Sequence, residues 1–110
     1  MSLSSFRLPY REIPYVRRFG LRLVTQEFEL YWVKREKPPQ RRWKIFVPKR
    51  VVAKAHERNR LKRLVTEALR QLFATYKIQG NLLIIVKMPL PKIKTQDIKI
   101  LLERELKGLG

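Results

Sequence analysis

A chain of 110 residues with 45% hydrophobic content has room for one folded domain over 1–110 and enough apolar side chains to build its core, which argues for a folded chain and against a linker and a second independent core. Its 26 Lys and Arg stand against 9 Asp and Glu, a formal net charge of +17, and a compact body so charged needs a polyanionic partner to offset its self-repulsion. The absence of cysteine excludes disulfides and thiolate metal sites, and one histidine, His56, with few carboxylates leaves a protein-only hydrolase scarcely any general bases.

In chain order, Met1 to Ser5 lack a charged start followed by an apolar run, so no secretory signal is expected there. Phe6 to Gly20 carries Ile13 and Val16 at helical spacing, with Gly20 placed to stop a helix. Pro14, which has no backbone N–H to donate, either starts that helix or breaks it. Leu21 to Val24 admits a short strand. Phe28-Glu29-Leu30-Tyr31-Trp32-Val33 alternates, so Phe28, Leu30 and Trp32 share one face of a strand and Glu29 and Tyr31 the other. Lys34 to Arg42, with Pro38-Pro39 and five cations, reads as an exposed turn between antiparallel strands. Trp43, Ile45 and Val47 then form the buried face of a further strand.

Ala53 to Tyr76 runs without Pro or Gly and predicts a long helix. Leu61, Leu64, Val65, Ala68, Leu72 and Tyr76 make its apolar stripe; His56, Arg60, Arg63, Glu67 and Arg70 descend the opposite side. A turn at Gly80-Asn81 precedes Leu82 to Val86, apolar on both faces as a covered central strand is. Thr95 is placed to cap a last helix, with Asp97 in its first turn and Ile98, Leu101, Leu102 and Leu106 on its buried face. This order predicts an α+β fold.

The distribution of charge narrows the partner. From Lys34 to Arg63 thirteen cations stand against Glu36 and Glu57 only, whereas a face charged merely for solubility mixes signs. Phosphate binding explains that bias, because neutralising nucleic-acid phosphates releases condensed counterions. A membrane is disfavoured: no stretch approaches the ~20 apolar residues of a span, and the cations are interleaved with core strands as well as helices. A cytoplasmic protein with a nucleic-acid partner is therefore expected.

The segment Val47-Pro48-Lys49-Arg50-Val51-Val52-Ala53-Lys54-Ala55-His56-Glu57-Arg58-Asn59-Arg60-Leu61-Lys62-Arg63 resembles the signature of the ribonuclease P protein family. Its diagnostic core is Arg58-Asn59-Arg60, then Lys62-Arg63, then Glu67 and Arg70, at the start of a long helix directly after an alternating strand. The resemblance reaches Gly20, Phe28-Glu29-Leu30-Tyr31, the apolar strand and the final helix, and so nearly the whole chain. It implies a two-layer α/β sandwich, ordered helix, strands, long helix, strand, helix. It also implies that the long helix crosses between parallel strands in the left-handed sense, where strand twist alone favours the right hand in about 98% of cases. Three features depart from the family pattern. Ala53 stands where Gly is usual and Thr66 where Arg is frequent, and Ile13 and Arg17 occupy positions that are commonly aromatic.

The resemblance further implies the protein subunit of an endoribonuclease in which a catalytic RNA cuts precursor tRNA and holds Mg2+, the protein supplying no catalytic residue. Lys49, Arg50, Lys54, Arg58, Asn59, Arg60, Lys62, Arg63 and Arg70 are the implied contacts to that RNA. Ile13, Arg17 and Tyr31 are the implied cleft for the 5′ leader of the precursor. Each has a plainer reading: a solvated stripe for the cations, local hydrogen bonding near a helix start for Asn59, and burial beneath the first helix for Tyr31. Trp32 and Trp43 read as core. His56 has no acidic partner or nucleophile in a recognisable motif, and the carboxylates are dispersed, so neither a catalytic base nor a protein-held metal cage is expected. No obligate protein partner is expected. A ribosomal or other structural RNA-binding protein would share the charge and size, and only the ordered motif sets ribonuclease P ahead of it.

Overall fold

The computed structural model describes residues 6–109; Met1 to Ser5, where the absence of a secretory signal is read, lie outside the described residues. Three helices, α1 (Ile13–Phe19), α2 (Ala55–Thr75) and α3 (Thr95–Leu106), accompany four strands, β1 (Leu21–Val24), β2 (Phe28–Lys34), β3 (Arg41–Phe46) and β4 (Gly80–Val86). The strands form one sheet in the order β1-β2-β4-β3, with β2 antiparallel to both its neighbours and β3 parallel to β4. Helix α2 links the parallel pair, giving the expected α+β order.

The period-two alternation divides the sheet into two faces. Phe28, Leu30 and Trp32 point with Trp43, Ile45, Leu82 and Ile84 toward α2 and α3, where Val65, Leu72, Ile98 and Leu102 close the main core. On the other face Tyr31 and Leu83 pack with Leu8 and with Val16 of α1 in a smaller cluster. Strand β4 takes a central place because it is apolar on both faces. Strand β3, which carries Arg41, Arg42 and Lys44, takes an edge beside it. The segment from Lys34 to Arg42 is consequently no hairpin turn: β4 lies between the strands it joins.

Local geometry decides between the readings open at Pro14, bears out Gly20, and corrects the turn before β4 and the cap of α3. Pro14 lies in the first turn of α1, so the proline starts the helix. Gly20 ends that helix with extended backbone, and an added Cβ would meet the Val16 carbonyl oxygen at 2.4 Å; close approach is what this glycine permits. Gly80 and Asn81 belong to β4, and the turn before them uses Lys77 at φ 52. A Cβ on Gly80 would sit 2.3 Å from the Trp32 ring. Thr95 is the first residue of α3 and does not cap it; the Asp97 carboxylate instead accepts the Lys94 backbone N–H at 3.0 Å. In α2 the buried set adds Leu69 and Phe73 to the expected stripe, while Leu64 and Tyr76 are half-buried. The stripe is wider than expected because α2 packs on the sheet and on α3 together.

Candidate RNA interface

Around the start of α2 the chain gathers its cations. Lys49 and Arg50 are exposed in the turn after β3, Lys54 immediately precedes the helix, and Asn59, Arg63 and Arg70 are exposed along it, with Lys62 half-buried. Lys49, Arg50, Lys54, Lys62 and Arg63 form no ion pair among the described residues, so these charges are available to an outside anion. Arg70 is partly engaged: its Nε donates to Glu67 at 3.1 Å, and this bond, then one from Gln71, holds the Glu67 carboxyl below the usual range.

Arg58 and Arg60 behave differently from their neighbours. Arg58 Nη1 donates to the backbone carbonyls of Val52 at 3.1 Å and Ala53 at 2.6 Å, fastening the turn that leads into α2. Arg60 Nη2 donates to the Ile93 carbonyl at 2.7 Å, which ties α2 to the segment between β4 and α3, and its Nη1 lies 4.0 Å from Glu57. A hydrogen bond from a charged donor contributes about 1.5–3 kcal/mol, so these arginines hold the platform on which the open cations stand. Both are half-buried; Arg58 keeps Nε and Nη2 for a second partner, whereas Arg60 Nη1 is buried without a hydrogen-bond partner. Asn59 is exposed between them.

The second surface lies on the other face of the sheet. Strand register sets Arg22, Tyr31, Leu83 and Lys44 in one row, and Val24, Glu29, Ile85 and Phe46 in the next. Ile13 packs onto the smaller core cluster and the Arg17 guanidinium lies 5.9 Å from the Tyr31 ring centroid, so the three expected cleft residues do meet. Tyr31 itself is only 8% exposed, its ring packed with Leu8, Val16 and Leu83, and its hydroxyl donates to Glu29. Burial beneath α1 describes this ring, and its faces are not an open stacking platform. The Tyr31 hydrogen bond first, then Arg22 at 3.4 Å, holds the Glu29 carboxyl below its usual range against the opposing effect of burial.

The open aromatic rings here are others. Tyr10 is 72% exposed and Phe46 39%, with the Lys44 Nζ at 4.8 and 5.7 Å from their ring centroids. A base stacked on an exposed aromatic ring gains about 1–3 kcal/mol, and a neighbouring ammonium serves the phosphate. Phe46 was open to sequence reasoning, since it occupies the outward position of a strand whose inward positions are Trp43 and Ile45. Tyr10 sits in a short 3-10 turn, Tyr10–Glu12, with no periodic signal to mark it.

Exposed His56 has Glu57 at 3.6 Å, an acidic neighbour that the sequence alone does not pair with it. Among the described residues no group of three or more His, Asp or Glu is placed to hold a metal ion. No described helix is long and apolar enough to cross a membrane.

Fold and surface together define a small basic α+β protein with one cationic helix face and one aromatic, cation-lined sheet face. The family model for ribonuclease P matches residues 9–109, and the chain belongs to the ribonuclease P protein family. Among solved structures it is similar to the ribonuclease P protein of Thermotoga maritima, at 23% identity and TM-score 0.79, with 94% of this chain and 97% of that chain covered. It is also similar to the ribonuclease P protein of Staphylococcus aureus, at 22% identity and TM-score 0.70, with 93% of each chain covered. At such identities the likeness establishes the shared fold. No curated protein matches the sequence.

Proposed function

We propose that this protein is the RNA-binding subunit of a cytoplasmic ribonuclease P, promoting 5′-end maturation of precursor tRNA by a catalytic RNA. The observation that carries the reading is the set of unpaired cations Lys49, Arg50, Lys54, Lys62 and Arg63 around the start of α2, on the opposite side of the sheet from the cleft of α1. The cationic face binds phosphates of the catalytic RNA, with Arg58, Asn59 and Arg60 positioning that surface, Arg58 offering its remaining donors, and Arg70 extending it. The α1 cleft takes the single-stranded leader: Ile13 and Tyr31 form its floor, Arg17 its rim, and Lys44 with Phe46 and Tyr10 its open stacking side.

Catalysis belongs to the RNA, which holds Mg2+ for the hydrolysis. The protein lowers repulsion between two polyanions, an effect that fades as salt rises over a Debye length of about 8 Å at physiological ionic strength. The test is magnesium-dependent processing of a precursor tRNA by a bacterial ribonuclease P RNA, with and without this protein, at near-physiological salt. Protein-dependent cleavage at the mature 5′ end is expected. Binding without stimulation would instead identify a ribosomal or other structural RNA-binding protein.

A further inference from the structure

A cleft of about 240 Å³ opens between the N-terminal segment, the edge of β3 on which that segment lies, and the side of α2. Its lining includes Phe6, Arg7, Trp43, Lys44, Lys62 and Thr66. The Phe6 ring stacks on Trp43 with centroids 4.9 Å apart and planes inclined by 14°, forming an aromatic wall. That wall is fixed in place: Arg7 bridges to Trp43 in the parallel sense, and Leu8 N–H donates to the Trp43 carbonyl at 3.1 Å. Arg7 and Lys62 bring cations without ion-pair partners among the described residues, and no carboxylate lines the space. Lys44 contributes its stem, since its ammonium lies over Tyr10 and Phe46.

We propose that this cleft receives one unpaired nucleotide of a bound RNA strand, its base against Phe6 and the edge of the 5%-exposed Trp43 that lines the space, and its flanking phosphates on Arg7 and Lys62. The inference rests on the RNA-binding reading above and adds a site to it, at the edge of β3 between the two surfaces, sharing Lys44 with the α1 cleft and Lys62 with the start of α2. Three properties select this ligand class. The volume is below the roughly 300–1,000 Å³ of pockets for drug-sized molecules and suits a single planar ring system. Stacked aromatics bind any base through its π-face, and unpaired cations beside them suit the attached phosphates. Thr66 supplies the room, because a long side chain at that position would project into the cleft.

The experiment uses the whole protein carrying Trp32→Phe, which leaves Trp43 as its only tryptophan. The probe is a fluorescein-labelled single-stranded octaadenylate, with anisotropy reporting binding and tryptophan emission reporting the cleft. Octaadenylate is expected to quench Trp43. Adding Thr66→Arg, which fills the cleft while adding a cation, is expected to abolish most of that quenching while leaving anisotropy-detected affinity equal or tighter. The same Thr66→Arg comparison in the protein retaining both tryptophans covers the case in which Trp32→Phe disturbs the core. Quenching that persists with Thr66→Arg, or binding without quenching in the parent, would overturn the cleft and leave the RNA-binding reading standing. An absence of any anisotropy change at low salt, with octaadenylate and with a ribonuclease P RNA alike, would remove both.

Discussion

The start of α2 and the α1 face of the sheet reverse each other's expectations. On α2 the sequence marks a run of equivalent cations, yet tertiary contacts divide them into tethers, Arg58 and Arg60 on backbone carbonyls, and open charges such as Arg63. On the α1 face the sequence marks Tyr31 as the aromatic contact, yet that ring is packed beneath α1 while Phe46 and Tyr10 stand in solvent. Residue type announces what chemistry a surface holds. Which member of a set is free to perform it depends on what the chain brings alongside.

This contrast can be broken by mutation, most sharply at Arg60 against Arg63. Arg60→Ala removes a charged hydrogen bond to Ile93 and is expected to cost about 1.5–3 kcal/mol of stability in urea unfolding. Arg63→Ala, on an exposed side chain, is expected to stay within about 0.5 kcal/mol of the parent. Equal losses would erase the division between tethers and open charges.

Next in size is the stacking side of the cleft. Phe46→Ala is expected to weaken holoenzyme binding of precursor tRNA by about 1–3 kcal/mol with its half-exposed ring gone. Direct titration of precursor and mature tRNA measures it, and an unaltered precursor affinity would return the leader to some other part of the sheet.

Smaller again is the electrostatic effect of Arg63→Ala on RNA association. The slope of log affinity against log salt is expected to become shallower by about 0.7–0.9, the contribution of one phosphate contact. A salt titration that superimposes on the parent would mean that this cation faces solvent only.

The smallest effect concerns Glu29. Its carboxyl is more acidic folded than unfolded, so its stabilising contribution is complete above the ordinary value of 4.5 and is lost as pH falls through the depressed folded value. Glu29→Gln is therefore expected to flatten the acid limb of the stability profile below that pH. An unchanged limb would show that the Tyr31 and Arg22 contacts do not bias its protonation.

Much of the architecture was legible in the residues for identifiable reasons. Alternation placed Trp32, Trp43 and Ile45 in the core, and the doubly apolar run Leu82 to Val86 marked the central strand. What was not legible depended on partners distant in sequence. The insertion of β4 between β2 and β3, the burial of Leu69 and Phe73, and the reach of Arg60 to Ile93, thirty-three residues away, arise only when the layers close. Of the candidate site, the concentration of cations around the start of α2 was legible, but which of them are tethered was not, because Arg58 and Arg60 find their carbonyl partners only in the folded chain; the exposed side of the cleft was not legible either, because Tyr10 and Phe46 are distinguished only by what fails to cover them.

The central claim is that two surfaces on opposite sides of one sheet divide the recognition of two RNAs. Its most direct test compares Phe46→Ala and Arg63→Ala in the assembled ribonucleoprotein, measuring affinity for precursor and for mature tRNA and, separately, affinity of the protein for the catalytic RNA. Phe46→Ala is expected to narrow the preference for precursor while leaving assembly intact, and Arg63→Ala to weaken assembly while leaving that preference intact once assembly is saturated. Loss of both properties in both variants would contradict the division and leave a single undifferentiated basic surface.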